Sequence, residues 1–243
     1  MNFKTGTILS FDKPLNWTSF GLVSKVRYLL CKHIGEKKLK VGHAGTLDPL
    51  ATGVLIICTG KATKQIDLLQ AKTKEYIATM QLGATTPSFD LETAVDATFP
   101  TAHITQERIE DTLKKFTGRI EQIPPTYSAC KVDGKRAYDL ARQGKDVELK
   151  PKVLVIDEIE LIHFDSISMQ ATIRVVCSKG TYIRALARDI GQELDSGAHL
   201  TALRRTRIGD YIVEQCHTME SFQQWLQTLP ASYEGTEISG NNT

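Results

Sequence analysis

The chain has 243 residues, 41% hydrophobic and 24% charged, a globular balance that excludes disorder as its main state. Its 30 Lys and Arg against 28 Asp and Glu leave a net charge of +2, which excludes a bulk polycation; any nucleic-acid surface must come from charge placement. None of the five cysteines forms a C-x-x-C, the N-terminus Met1-Asn2-Phe3-Lys4 has no apolar signal core, and the run from Val54 to Cys58 is far too short to span a bilayer. These features predict a soluble, cytoplasmic protein without disulfides, structural zinc or a membrane anchor.

Residues 7–11 read as a strand ending at Asp12-Lys13-Pro14. A helix is expected from Ser19, with Leu22, Val23, Val26, Leu29 and Leu30 on one face. Residues 22–40 hold six Lys or Arg against Glu36 alone, a basic cluster. Residues 54–58 read as a buried strand, 62–70 as a helix after Thr59-Gly60, and 76–82 as a strand. Thr105 caps an expected helix that runs to Phe116 and is stopped by Gly118. Asp133-Gly134 signals a hairpin, and 137–143 a short helix. Two long strands are expected at 153–162 and 167–177, the second with Met169, Ala171, Ile173, Val175 and Cys177 on one face. A helix from Thr181 carries the stripe Ile183, Leu186, Ala187, Ile190 and Leu194, with Arg184 and Arg188 on another face. An Arg-rich strand at 199–208 and a short helix with Phe222 and Trp225 follow, and the polar residues 231–243 read as a disordered tail. Strands and helices without strict alternation predict an α+β fold with a mixed, mostly antiparallel sheet, in one domain over 1–230.

The segment Gly42-His-Ala-Gly-Thr-Leu-Asp-Pro-Leu-Ala-Thr-Gly53 is the densest in chemistry. Three glycines, a proline and two threonines in this stretch describe a constrained loop. Asp48, before Pro49, is either a turn cap or a carboxylate held on a stiff loop for nucleophilic or base work. Gly53 and Gly60 are wrongly spaced for a phosphate loop, and Lys61 is followed by Ala62, which excludes nucleotide hydrolysis of that type. Lys179-Gly-Thr-Tyr-Ile-Arg184 sits where a strand becomes a helix; Thr181 is its expected cap, and Arg184 is either a surface residue or a partner for a carboxylate. Residues 131–152 hold seven Lys or Arg against four acids, and Arg204, Arg205 and Arg207 add a third basic stretch. With Tyr28, Tyr127 and Tyr138 in or beside these stretches, phosphate contact plus stacking suits RNA.

The segment from Gly42 to Leu55 closely resembles the signature of the TruB family of tRNA pseudouridine-55 synthases. Supporting motifs stand in family order: Asp12-Lys-Pro14 with Thr18-Ser19, Lys74-Glu-Tyr76, Leu82-Gly83, Pro124-Pro-Thr-Tyr-Ser-Ala129, Ala141-Arg-Gln-Gly144, Cys177-Ser-Lys-Gly-Thr-Tyr-Ile-Arg184 and Gly197-Ala-His-Leu-Thr-Ala-Leu-Arg-Arg205. The resemblance covers residues 6–210. Asn16 stands where the family usually has Gly, and the left-handed backbone open to Asn keeps that turn possible. The residues after 210 are too few for the PUA RNA-binding domain that many bacterial members carry, so recognition is expected to rest on the T arm of tRNA.

What the resemblance implies is a cofactor- and metal-independent isomerisation of uridine 55 in the T loop to pseudouridine, on a flipped-out base, by a monomer with a pseudouridine synthase fold. Asp48 falls on the essential aspartate of the family, for which attack on the ribose or the base and removal of a ribose proton have all been proposed. Arg184 aligns with the arginine that pairs with it. Tyr76 matches the tyrosine that stacks on the flipped uracil, Tyr182 and Leu203 match pocket residues, and His43 matches the histidine that receives the RNA where the base has left. Asp90 falls on an acidic family position without an assigned role. Residues 124–152 correspond to the segment that closes over the RNA stem-loop. Two other outcomes stay open from the sequence: a tRNA-folding chaperone whose catalysis is dispensable, and a synthase acting on another RNA.

Overall fold

The computed structural model describes residues 2–125 and 149–230, with the short strands 131–132 and 135–136 between them. Strand β1 (Ile8–Lys13) outlasts its expected end, because Asp12 and Lys13 continue the ladder opposite Val54 and Gly53. Asn16 takes the left-handed backbone, with φ 65°. Helix α1 (Ser19–Ile34) starts where Thr18 accepts the Gly21 N–H and ends at Gly35, whose left-handed φ of 69° closes the last turn. Its stripe of Leu22, Val23, Val26 and Leu30 is buried against Phe11, Leu55, Ile57, Phe222 and Leu226.

Strand β2 (Val41–His43) leads through the Asp48 loop into β3 (Ala51–Thr59). Both faces of β3 are covered: Leu55 and Ile57 enter the cluster under α1, while Val54, Ile56 and Cys58 pack with Ala62, Leu69 and Ile208. That is why its sequence is a continuous apolar run rather than an alternation. The expected helix 62–70 divides into a 3-10 turn, Gly60–Gln65, and α2 (Ile66–Ala71). Gly60 has φ 51° and passes so close to the Lys4 carbonyl that any Cβ would collide with it, and the Thr63 hydroxyl adds a bond to the Gly60 carbonyl at 2.8 Å.

Strand β4 (Lys74–Leu82) alternates buried and half-buried residues, with Tyr76, Ala78, Met80 and Leu82 facing the main core. The pair β5 (Ala84–Thr85) and β6 (Ala97–Thr98) stands apart. Helix α3 (Gln106–Lys114), capped by Thr105, ends two residues before Phe116. After β7 (Gly118–Gln122), the pairing of β8 (Lys131–Val132) with β9 (Lys135–Arg136) brackets Asp133-Gly134. That turn, the expected helix 137–143, Tyr127, Tyr138 and the tail 231–243 lie outside the described residues.

Strands β10 (Lys152–Asp165) and β11 (Gln170–Cys177) are the two expected long strands and pair as a hairpin, but residues 167–169 belong to its turn. Asp165 accepts hydrogen bonds from the Ile167 N–H and the Ser168 hydroxyl, and Met169 has φ 55°, which takes it out of the ladder. Helix α4 (Ile183–Glu193) has Tyr182, not Thr181, at its N-cap position; the Thr181 hydroxyl donates to the Ser178 carbonyl and caps nothing in the helix. Strand β12 (Ala198–Ile208), β13 (Tyr211–Ile212) and α5 (Met219–Thr228) follow. Phe222 meets His217 edge-on and Trp225 packs on it at a tilt, and Phe222 reaches Phe11 edge-on at 4.9 Å, which covers that face of β1.

One nine-stranded sheet results, in the order β1-β3-β12-β4-β11-β10-β7, with β2 on β3 and β13 on β12. The architecture is α+β, and among the described strand pairs of this sheet only β3 with β12 is parallel, beside an isolated parallel bridge of Phe11 with His217. No helix among the described residues is long and apolar enough to cross a membrane.

The parallel pairing requires Gly53. Its φ is 103°, and a Cβ there would lie 2.1 Å from the Arg205 carbonyl oxygen. Gly53→Ala is therefore expected to lose about 3 kcal/mol of stability, through backbone strain and a clash with a neighbouring main chain. Urea unfolding midpoints of the two proteins check this.

Candidate active site

The loop between β2 and β3 has few ladder partners, so its carbonyls must be satisfied by side chains or water. Two buried cations do this. Arg205 on β12 is 2% exposed; its Nε donates to the Val54 carbonyl at 2.8 Å, Nη2 to Gly45 at 3.1 Å and Nη1 to Thr46 at 3.4 Å. Lys13 at the end of β1 is fully buried, and its Nζ donates to Trp17 at 2.7 Å, Pro14 at 2.9 Å and Pro49 at 3.4 Å. The Ser19 hydroxyl grips Leu47 from both sides, accepting its N–H at 2.9 Å and donating to its carbonyl at 3.0 Å. Leu47 is buried in the main core, and the next residue, Asp48, is thereby turned outward with 40% of its side chain exposed.

Arg184, in the first turn of α4, meets that carboxylate. It is 5% exposed, and its Nε donates to Asp48 Oδ2 at 2.9 Å while Nη1 donates to the Ser88 carbonyl at 3.0 Å. Asp90 Oδ2, nearly buried, lies 3.6 Å from the same Nε. Arg184 is therefore a buried partner of a carboxylate and not a surface residue, because the start of α4 points it into the space between the Asp48 loop and the 86–93 turn.

Asp48, Tyr76, Tyr182, Arg184, Leu203 and Arg205 line one open cleft of about 860 Å³. Lys74, Lys152 and Lys179 share its wall. Tyr76 is 8% exposed and stands opposite Arg205 across the β4–β12 ladder; burial pushes its phenol above the ordinary value and keeps it protonated. A smaller hollow of about 120 Å³, lined by Leu15, Asp90, Leu91 and Ala202, shares Asp48, Arg184 and Leu203 with the cleft. His43 is not among the cleft-lining residues. It sits on β2, where burial and then the Arg205 charge hold its pKa below the usual value, and its Nδ1 has no hydrogen-bond partner among the described residues. No group of three or more His, Cys, Asp or Glu among the described residues is placed to hold a metal ion.

Sequence reading placed five residues in this cleft but missed the parts that hold it. The bases of 204–207 are not a free RNA surface: Arg204 binds Asp12, Arg205 is buried in the loop clamp, and Arg207 joins Arg174 on Glu75. Their partners come from strands far away in sequence, which local composition does not show. Lys13 and Ser19 carried a family-motif signal without a structural role, and Ser88 carried no signal.

Comparisons with known proteins agree along the chain. A family model described as TruB family pseudouridylate synthase, N-terminal domain, matches residues 32–183, and one described as tRNA pseudouridylate synthase B C-terminal domain matches 184–234. A protein of Phocaeicola vulgatus named tRNA pseudouridine synthase B is 69% identical over 226 residues, 93% of this chain and 95% of that one. Proteins of the same name from Flavobacterium johnsoniae and Thermobifida fusca are 52% and 43% identical, over 91% and 92% of this chain and 96% and 76% of theirs. Among solved structures, a chain in a Cbf5-Nop10-Gar1 complex aligns with TM-score 0.68 and 27% identity over 92% of this chain, which spans 55% of that chain's length. A chain in an H/ACA RNP bound to a substrate RNA containing 2'-deoxyuridine aligns with TM-score 0.66 and 27% identity, over 92% of this chain and 54% of that one.

Burial lowers the Lys74 ammonium on the cleft wall to about 8, with the Arg205 charge adding to the effect. Between about pH 8 and the unfolded value of 10.5 the unfolded chain binds more protons at this residue, so its contribution to stability rises with pH in that window and is flat below it. Relative to Lys74→Met, the wild type is expected to gain about 2–3 kcal/mol from pH 8 to pH 10.5. Denaturant titrations across that range measure it.

Proposed function

The chain belongs to the TruB family of pseudouridylate synthases, and we propose on that footing that it converts uridine 55 in the T loop of tRNA to pseudouridine. The observation that carries this reading is the Asp48–Arg184 pair at 2.9 Å on the wall of a cleft that also presents Tyr76, Tyr182 and Leu203.

The reaction moves the C1' of ribose from N1 to C5 of the same uracil. One C–N bond breaks, one C–C bond forms, C5 loses its proton and N1 gains one. The sum is an isomerisation without redox change. The uridine must leave the loop stack to be reached, and the cleft has room for it. Asp48 is the group that engages the nucleoside. Arg184 holds that carboxylate through one guanidinium N–H and is itself braced by Ser88 and Asp90, so the side chain is oriented before substrate arrives. Tyr76 offers a neutral aromatic face to the flipped uracil, and Tyr182 and Leu203 complete the base pocket. His43, beside the loop clamp, occupies the space that the base vacates in the RNA.

Outside the cleft, Lys25, Arg27, Lys32, Lys37, Lys38 and Lys40 are exposed along and after α1 and supply phosphate contacts. Residues 1–230 form one catalytic unit. The T arm carries recognition, and the protein works as a monomer in the cytoplasm.

The test is incubation of the pure protein with an unmodified tRNA transcript, followed by pseudouridine mapping. Conversion is expected at position 55 alone. Asp48→Asn is expected to slow it by about 1000-fold or more, the scale of a lost chemical group, while tRNA affinity stays within about threefold. Full activity in Asp48→Asn refutes the assignment. Conversion at another position, or of another RNA only, refutes the substrate.

A further inference from the structure

Phe89 has φ 61°, in the left-handed region where a bulky aromatic residue is an outlier. Glycine would occupy this position without that penalty. Such a conformation persists only where its surroundings over-determine it. Here the Phe89 N–H donates to the Thr86 carbonyl at 3.0 Å, its carbonyl accepts the Leu200 N–H at 2.9 Å, and its ring lies under the Arg188 guanidinium, 4.9 Å from the ring centre. Arg188 is one turn after Arg184 on α4.

The two residues that flank Phe89 are the ones that brace Arg184. The Ser88 carbonyl accepts from Nη1, and the Asp90 carboxylate approaches Nε. Both are buried, and the Asp90 carbonyl is tied back by the hydroxyls of Thr86 at 2.7 Å and Ser88 at 3.2 Å. The position of this small turn therefore sets the position of the Arg184 guanidinium, and with it the Asp48 contact. Arg188 is held in turn: its Nη2 donates to the Ile123 carbonyl at 3.1 Å and its Nε to Asp189 Oδ1 at 2.8 Å.

We propose that Arg188 is a positioning residue for the reaction: stacked on Phe89, it fixes the turn that seats Arg184 against Asp48. The proposal rests on the pseudouridine-forming reading above. Phe89 retains its strained backbone because the ring, absent from glycine, is the surface on which Arg188 bears.

Three measurements on the full chain test this: the single-turnover rate on unmodified tRNA transcript, the tRNA dissociation constant, and hydrogen exchange of the Arg184 Nε–H by nitrogen-15 NMR. Arg188→Ala and Phe89→Gly are each expected to slow the single turnover by about 10- to 100-fold, the cost of a small misplacement at a reacting centre. Affinity for tRNA stays within about threefold, as for a part that orients and does not bind. Phe89→Gly keeps the wild-type unfolding midpoint or exceeds it, Phe89→Tyr keeps the wild-type rate, and the double variant is no slower than the slower single one. The Arg184 Nε–H exchanges faster in both slow variants. Wild-type rate and exchange in Arg188→Ala overturn the proposal, as does a rate loss that Phe89→Tyr shares with Phe89→Gly. If Phe89→Gly does not fold, Arg188→Ala and its exchange readout decide alone. A wild-type protein that converts no tRNA, while its Nε–H still responds to Arg188→Ala, removes the functional reading and leaves the positioning contact standing.

Discussion

The burial of Arg205 is the interaction on which the rest depends. A loop that leaves its ladder exposes carbonyls with no partner, and burying them unpaired costs about 1–3 kcal/mol each. A guanidinium supplies several donors in a fixed fork and can satisfy carbonyls pointing in different directions. From the central strand β12, Arg205 takes Gly45, Thr46 and Val54 in this way. Removing it would strand those carbonyls, and the loop that displays Asp48 would lose its shape along with its anchor.

Two arginines from distant parts of the chain thus divide the work. Arg205 donates to main-chain carbonyls, while Arg184 faces the carboxylates of Asp48 and Asp90. Lys13 assists the first task from β1, where burial lowers its ammonium to about 8 while the Asp48 charge works in the opposite direction. The rigid frame and the reactive group are therefore built from separate cations, so the carboxylate can respond to substrate without the loop losing its supports.

Much of this was legible in the sequence where local physics decides. The 3.6-residue stripe of α1, the apolar run of β3 and the strand read at 76–82 all stand in the fold, the last lengthened at its start to Lys74. Asp48, Tyr76, Tyr182, Arg184 and Leu203 meet in one cleft, but His43 lies off its wall. What was illegible depends on contacts between remote segments. Arg204 and Arg207 looked like an RNA surface because Asp12 and Glu75 cannot be paired with them until the strand order is known. The hairpin turn at 167–169 was read as strand because Met169 continues the apolar alternation, whereas the carboxylate of Asp165 captures the turn. The strain at Phe89 has no compositional trace.

The parallel pairing of β3 with β12 joins Ala51 to Leu203 and Thr52 to Arg204, across some three-fifths of the sequence. Contacts so far apart form late, since the chain between them must first be ordered. During synthesis from the N-terminus, the segment bearing Asp48 emerges long before Arg184 and Arg205 do. A ribosome-bound chain therefore exposes its acidic group with neither guanidinium available, and the competent arrangement arises only once β12 has left the tunnel. Premature stops anywhere before β12 yield fragments in which the centre never assembles.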